Sequence, residues 1–146
     1  MNKKYAFTNC NVINGQIGIK PESNMVILVN DEGIIEEIGK MQDVKIPADY
    51  EIINIANKHT LPGLINAHVH LLSNGGRSLK IAESRCMLRF IRTRVGKNLL
   101  KLYMKKFAIN ALHSGVTTLR CVGDLFYKDV EIRDEIDSNK YVGPKL

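Results

Sequence analysis

The chain has 146 residues, of which 45% are hydrophobic and 25% are charged, with 11 glycines and 4 prolines. This composition excludes a disordered tail and a collagen-like or low-complexity chain, and no run approaches the roughly 18 apolar residues that a membrane span needs. The formal charge of +6 is uneven, because residues 77–106 carry +9 and the rest of the chain carries −3. Three widely spaced cysteines, Cys10, Cys86 and Cys121, argue against a disulfide framework, so we expect a reducing, cytoplasmic compartment.

The first sixty residues have the pattern of short strands separated by turns. Apolar and β-branched runs predict strands over residues 5–13, 25–29, 34–38 and 50–55. Asn14-Gly15 is a turn signal after the first run, and Asp31-Glu32-Gly33 joins the second and third into a predicted hairpin. Because no helical period occurs here, residues 1–60 are predicted to form a small all-β unit.

The pattern changes at Leu61 to alternating strands and helices. Apolar runs predict strands over residues 64–69 and 116–122, and helical spacing covers residues 78–113 and 129–136. The first of these strands is expected to be buried on both faces, as in a parallel sheet. This order predicts a βαβ unit with parallel strands and a right-handed crossover. Two strands cannot cover both faces of a parallel sheet, so the unit over residues 61–146 is expected to be incomplete.

The long helical stretch is predicted to consist of two pieces. Gly96 is the expected break, Asn98 the expected N-cap of the second piece, and Gly115 the residue just past its end. Apolar residues of the second piece recur at the three- and four-residue spacing of a helix: Leu99, Leu102, Tyr103, Phe107 and Ala111.

The basic character of this segment has two possible meanings. Residues 77–106 contain ten lysines and arginines and one acid, Glu83. Such a stripe could attract a nucleic acid or another anionic surface. The alternative is the solvated face of amphipathic helices, which the helical spacing, the few aromatic residues and the lack of a nucleic-acid motif favour.

Two histidines at the end of the strand predicted over residues 64–69 are the most informative feature. In Asn66-Ala67-His68-Val69-His70, the histidines lie two apart and therefore on one face of a strand. Imidazoles placed in this way can share one metal ion. A chance pair on a strand end is the alternative, but the preceding apolar run and the presence of only four histidines in the chain favour a metal site.

These residues carry a resemblance to a known family. The run from Thr60 to Leu71, TLPGLINAHVHL, resembles the first-strand signature of the amidohydrolase superfamily. GVTTLR at residues 115–120 is similar to the second-strand motif, and residues 132–146 resemble the segment that leads into the third strand. The branch indicated is the imidazolonepropionase-related one, which includes peptidases acting on dipeptides or N-acyl amino acids.

The resemblance implies a specific α/β architecture and chemistry. Residues 61–146 would be the first two β/α units of a distorted (β/α)8 barrel like a TIM barrel, and residues 1–60 the N-terminal part of a small composite β-sandwich. His68 and His70 would bind a divalent metal, usually zinc, in a site of one or two ions. A metal-activated water would then hydrolyse an amide, cyclic amide or dipeptide C–N bond, with the other ligands and the catalytic residues expected beyond Leu146.

Two positions depart from the family pattern, since Asn66 and Cys121 stand where aspartates are usual. Asp124, just past the second strand, is a candidate for the substrate pocket or, alternatively, a helix cap. Cys121 is interpreted as a core residue rather than a nucleophile. His113 is expected at a helix end and His59 in an exposed loop.

Three functional hypotheses follow. The first is a metal-dependent amidohydrolase whose full-length form is active while this chain alone is inactive. The second is a non-catalytic fragment or degenerate relative, and the third is a nucleic-acid or anionic-surface binder through the basic helices. For the first we expect a small-molecule amide or dipeptide substrate, no nucleic-acid or membrane partner, and a homo-oligomer, because an unfinished sheet has exposed edges.

Overall fold

The chain is a mixed α/β protein of two compact units, Met1–Pro62 and Gly63–Leu146. It is represented by a computed structural model that describes residues 3–72 and 85–146. The loop predicted at residues 73–76 and the helical residues predicted at 78–84 lie outside the described residues. Within the described ranges, no helix has the length and apolarity needed to cross a membrane.

The first unit consists of strands, and the described part of it contains no helix. Its strands are β1 (Lys4–Val12), β2 (Glu22–Val29), β3 (Ile35–Lys40), β4 (Tyr50–Asn54) and β5 (His59–Thr60). They form one sheet in the order β3-β2-β1-β4, with β5 also paired to β1. The β2–β3 hairpin is confirmed, and β1 is antiparallel to β2 and parallel to β4 and β5.

A bulge in β1 divides the apolar residues of this sheet between two clusters. Ala6 packs with Val26 and Leu28, whereas Cys10 packs with Met25 and Ile27. Residues four apart on a regular strand would face the same side. The register shifts between Phe7 and Cys10, where Asn9 has a left-handed φ of 54°, and this extra residue turns Cys10 toward the second cluster.

The second unit follows the predicted order of strand, helical crossover, strand and helix. Its elements are β6 (Leu64–Val69), α1 (Arg85–Arg92), α2 (Arg94–His113), β7 (Val116–Cys121), a single 3-10 turn (Leu125–Tyr127) and α3 (Lys128–Asp137). Strands β6 and β7 pair in parallel, with Leu64 opposite Val116 and Asn66 opposite Leu119. Gly115, with a φ of +90°, directly follows the C-cap of α2, as the sequence predicted.

The break between α1 and α2 lies at Thr93, so the prediction of a break at Gly96 and a cap at Asn98 is wrong. The Thr93 hydroxyl accepts the N–H of Gly96 at 3.0 Å and donates to the carbonyl of Phe90 at 2.7 Å. Gly96 itself is buried in the first turn of α2. A Cβ there would lie 2.0 Å from the Phe90 carbonyl oxygen, so glycine is required by close backbone approach rather than by helix termination.

The buried side of α2 coincides only in part with the residues that show the helical spacing. Leu100, Met104 and Ala108 are buried, and they pack with Leu71, Leu119 and Ile132. Leu99 and Leu102 are 51% and 62% exposed. The helix has apolar residues on two sides, and spacing alone could not tell which of them meets the β6–β7 pair and α3.

Strand β6 is exposed in this structure, contrary to the expectation that it is buried on both faces. Leu64 and Ile65 are 50% and 73% exposed, and Val69 is only partly buried. The reason is that, within the described chain, β6 pairs with β7 alone. An apolar strand of this kind needs further neighbours to cover it.

Candidate metal centre

His68 and His70 lie together at the carboxyl end of β6. His68 is the penultimate residue of β6, and His70 is the first residue after the strand. Their ring centroids are 5.7 Å apart, with an angle of 76° between the ring planes. Both residues are exposed.

The ring of His70 is held by the segment that follows β7. Its Nδ1 lies 2.8 Å from the carbonyl oxygen of Gly123. A carbonyl oxygen can only accept, so Nδ1 is the protonated nitrogen in this arrangement. In the neutral ring, Nε2 then keeps its lone pair, which is the form in which an imidazole binds a metal while its other nitrogen donates to a second group.

Asn66 occupies the same side of β6 as the two histidines. Its Oδ1 accepts the backbone N–H of His68 at 3.2 Å, so this side chain stabilises the local strand conformation. Asn66, His68 and His70 border a cleft of about 560 Å³, whose far side is formed by α2 residues that include Phe107 and Asn110.

Asp124 contacts the turn after β6. Its Oδ2 accepts the backbone N–H of Leu71 at 2.7 Å. It precedes the 3-10 turn but makes no capping hydrogen bond to it. Partial burial raises the pKa of the Asp124 carboxyl, with the charge of Asp129 adding to the rise, while the bond from Leu71 opposes it. Asp124 is not among the described residues that border the cleft, and its substrate-pocket role stays a prediction.

Cys121, at the end of β7, is partly buried. Burial raises the pKa of its thiol to about 11, and the nearby charges of Asp124 and Asp129 act in the same direction. Because the thiolate is the nucleophilic form, this environment supports the interpretation of Cys121 as a packing residue.

Arg120 and the other two histidines of the chain are all exposed. Arg120 is exposed on β7, and His113 is exposed at the last residue of α2, where a cation suits the helix dipole. His59 is exposed but belongs to the short strand β5 in the first unit rather than to a loop. Among residues 3–72 and 85–146, no three histidine, cysteine or acidic side chains are close enough to hold a metal.

The two histidines therefore fit part of a metal site. They are adjacent, exposed on one side and, for His70, oriented by a second group, as metal-binding imidazoles usually are. A catalytic zinc site commonly has three protein ligands. A zinc site of this kind would need at least one further ligand from outside the described residues.

Several basic residues of α2 have structural partners in the same unit. Lys101 pairs with Glu131 at 3.2 Å and Glu135 at 2.6 Å. Lys97 lies 4.8 Å from the ring centroid of Phe126, and Lys105 lies 3.3 Å from that of Tyr141. These three lysines follow one side of α2 and tie it to α3 and its flanking segments, which accounts for part of the basic stripe without a nucleic acid.

Comparison with known proteins finds a curated relative and solved structures that this chain resembles. No family model matches the chain. The imidazolonepropionase of Clostridium tetani (strain Massachusetts / E88) is 31% identical over 77 residues, which are 47% of this chain and 18% of that protein. A crystal structure of a candidate prolidase from Bifidobacterium longum superimposes with a TM-score of 0.76 and 29% identity, covering 99% of this chain and 29% of that one. A Xaa-Pro dipeptidase gives 0.70 and 26%, covering 98% and 32%.

These proteins are amidohydrolase-superfamily members. The resemblance to the amidohydrolase superfamily is confirmed. This amidohydrolase-like chain spans less than a third of the length of these two solved structures and 18% of the length of the Clostridium tetani protein. The segments that resemble the first-strand and second-strand motifs of the superfamily form β6 and β7, and the ends of these two strands carry the histidine pair and its Gly123 contact.

Proposed function

We propose that this chain is part of a metal-dependent hydrolase of the amidohydrolase type. The observation that carries the proposal is the pair His68 and His70 at the carboxyl end of β6, next to a parallel β7 whose following loop holds the second ring. Active sites of (β/α)8 barrels are built at the carboxyl ends of their strands. The matches to a prolidase-like structure and a Xaa-Pro dipeptidase support the same class.

The proposed architecture assigns each unit a place in a larger protein. Residues 61–146 are the first two β/α units of a (β/α)8 TIM-like barrel, and residues 1–60 are the N-terminal part of a composite β-sandwich. The exposure of Leu64 and Ile65 supports this, because further barrel strands would cover β6. The remaining metal ligands and the catalytic residues would lie on chain beyond Leu146.

His68 and His70 would hold the metal, which we propose to be zinc in a site of one or two ions. Such an ion polarises a carbonyl oxygen and lowers the pKa of bound water, and this is the chemistry it would supply. The chain's own residues prepare the site: Gly123 fixes the Nδ1–H form of His70, and Asn66 bonds the backbone at His68. We propose that the small substrate occupies the cleft that these residues border.

The proposed substrate is a small molecule with an amide, cyclic amide or dipeptide C–N bond. We place the protein in the cytoplasm as a homo-oligomer without a nucleic-acid or membrane partner. The groups that would select one amide over another would come from loops after strands outside this chain, since barrel specificity is set by the loops at the carboxyl edge.

Metal analysis of a longer polypeptide that contains this chain tests the proposal. We expect bound zinc and amide hydrolysis, and we expect His68→Ala and His70→Ala each to lose most of both. His113→Ala is the matched control, because it removes an exposed histidine at the end of α2 and should leave both unchanged. A metal-free protein, or full hydrolysis by the His68→Ala variant, would contradict the proposal.

The 146-residue chain itself gives a second outcome. With two ligands in place we expect weak binding of zinc and no turnover, because catalytic zinc sites commonly need three protein ligands. Measured hydrolysis by the purified 146-residue chain would show that the site is complete without further strands. Weak metal binding without turnover, lost in His68→Ala, is the result we expect.

A further inference from the structure

We propose that Gly123 and Asp124 form a clamp that sets the protonated nitrogen and the position of His70, with Asp124 as a positioning residue. The clamp is defined here as the contacts of these two residues with His70 and Leu71. Its role in metal binding rests on the proposed function, whereas its effect on the His70 ring does not.

The clamp continues the pairing of β6 and β7 past the ends of both strands. The N–H of Val122 donates to the carbonyl of Val69 at 3.1 Å. One residue on, Nδ1–H of His70 donates to the carbonyl of Gly123 at 2.8 Å. One residue further, the N–H of Leu71 donates to Asp124 at 2.7 Å. Residues 69–71 are thus hydrogen-bonded in turn to residues 122–124. The first bond joins two backbone groups, and each of the next two involves one side chain.

Gly123 has the backbone conformation that this arrangement needs. Its φ is +106°, in the region that residues with a Cβ rarely adopt. A Cβ at this position would meet no atom within 4 Å, so space is not the reason for glycine. The requirement is conformational: the carbonyl points toward His70 because the chain turns through a left-handed residue.

Asp124 anchors the clamp to the core of the unit. Leu71 is 1% exposed and packs with Leu119, Met104 and Ile132. The carboxylate is partly withdrawn from water, which costs free energy unless hydrogen bonds compensate, and its bonds go to the turn after β6 rather than to the 3-10 turn that it precedes. A fixed Leu71 restricts where the adjacent His70 ring can lie.

The consequence is a His70 ring already in the form that binds a metal through Nε2. Removing an outer group that orients a metal-binding histidine lowers the metal affinity about 10- to 100-fold. Asp124 reaches no ring nitrogen itself, so its contribution passes through the backbone of Leu71 to His70. Loss of Asp124 should therefore free the ring without removing any ligand.

NMR of the ring nitrogens in the metal-free 146-residue chain tests the clamp directly. At a pH where the imidazole is neutral, multiple-bond ¹H–¹⁵N spectra distinguish a ring protonated at Nδ1 from one protonated at Nε2. We expect His70 to be Nδ1-protonated in the wild type and mixed in Asp124→Ala. Asp124→Asn keeps an acceptor for the Leu71 N–H and should stay close to the wild type. Asp137→Ala, an exposed acid at the end of α3, is the matched control.

The outcomes separate this inference from the proposed function. Protonation of His70 at Nε2 in the wild type would overturn the clamp, and this outcome needs no variant. The same protonated nitrogen in the wild type and in a folded Asp124→Ala chain would also overturn it. In a metal-binding longer polypeptide, Asp124→Ala should lower cobalt affinity by about 10-fold or more while Asp124→Asn does not. If the ring behaves as expected but that polypeptide binds no metal, the clamp stands and the proposed function fails.

Discussion

At the scale of single residues, chemical character depends on the neighbours that the fold supplies. His68 and His70 have the same side chain, but among the described residues only the His70 ring has a hydrogen bond that selects one ring nitrogen, the one to the Gly123 carbonyl. Cys86 and Cys121 likewise share a thiol but differ in exposure. Partial burial, with the carboxylates of Asp124 and Asp129 acting in the same direction, raises the pKa of the Cys121 thiol and keeps it protonated.

Cysteine labelling measures this difference. At pH 8, a pKa of about 11 leaves about one Cys121 thiol in a thousand ionised, so alkylation there should be slow. Cys86 is exposed and should react first, while buried Cys10 should react only on unfolding. Mass spectrometry after brief iodoacetamide treatment should find the label at Cys86, and Cys86→Ser should abolish the fast phase. Rapid labelling of Cys121 in the folded chain would contradict the assignment.

At the scale of secondary-structure elements, short-range contacts determine where a helix begins and tertiary contacts determine which side of it is buried. Thr93 caps α2 because its hydroxyl reaches the Gly96 N–H. Lys101 lies on the side of α2 that meets α3, where it bridges Glu131 and Glu135. Neither the cap at Thr93 nor the bridge at Lys101 could be predicted from residue spacing alone. Several polar residues of this stretch could cap a helix, and α2 has two apolar sides that could be buried.

The capping residue can be identified by comparing Thr93→Ala with Asn98→Ala. Loss of a threonine N-cap costs about 1 kcal/mol of stability, and here the hydroxyl also bonds Phe90. Asn98 is exposed inside α2, so its replacement should change the free energy of unfolding by less than about 0.5 kcal/mol. Urea unfolding followed by circular dichroism gives both values. Equal effects, or a larger effect for Asn98→Ala, would restore the cap that the sequence suggested.

The bridge between α2 and α3 predicts a pH-dependent difference between wild type and Lys101→Met. Lys101 is the main cause of the lowered pKa of Glu135, whereas the pKa of Glu131 is lowered first by Lys128 and then by Lys101. The stabilisation from Lys101 is therefore present above the unfolded pKa of these glutamates and is lost as the pH falls through their lower folded values. The hydrogen bond with Glu135 raises the pKa of Lys101. The stabilisation that comes from the charged lysine is therefore lost only as the pH rises through this raised pKa, in the alkaline range.

Because the side chains are partly exposed, the expected loss at neutral pH is about 0.5–1 kcal/mol. This loss should shrink on acidification below about pH 4.5, near the ordinary glutamate pKa. Urea midpoints at several pH values measure it. Lys106→Met, at an exposed lysine of the same helix, serves as the control and should show a smaller effect. A loss at Lys101 that is independent of pH would point to packing of the stem rather than to charge.

At the scale of the whole molecule, the described structure leaves apolar surface uncovered in both strands and helices. Ile65 on β6 is 73% exposed, and Val95 and Leu102 on α2 are 63% and 62% exposed. Strand β6 also presents an edge to which, in the described chain, no strand pairs. Open edges and exposed apolar residues favour association with another chain or segment.

Self-association of the 146-residue chain should therefore depend on β6. Sedimentation over a dilution series should show species larger than the 16.4 kDa chain, and Ile65→Lys should shift them toward monomer because a charge blocks edge pairing. Leu99→Lys, which places the same charge on an exposed leucine of α2, is the matched comparison. If only Leu99→Lys dissociates the chain, the helix rather than the strand forms the interface. A monomeric wild type at every concentration would contradict the prediction.

The sequence by itself determined the order of elements, the parallel β6–β7 pair and the position of the histidine pair at a strand end. Hydrophobic period and turn chemistry are local, so strands and helices could be placed from the residues that compose them. The superfamily resemblance was carried by motifs in β6 and β7, which are contiguous in sequence and therefore visible without a structure.

Only the tertiary structure decided which contacts those elements make. The buried side of α2, the bulge at Asn9, the close approach at Gly96 and the exposure of β6 all depend on what packs beside them. The clamp on His70 joins residues 53 positions apart, and such a bond leaves no periodic signal in the chain. Local patterns therefore located the histidines, and the meeting of two distant loops determined which ring nitrogen of His70 is left free.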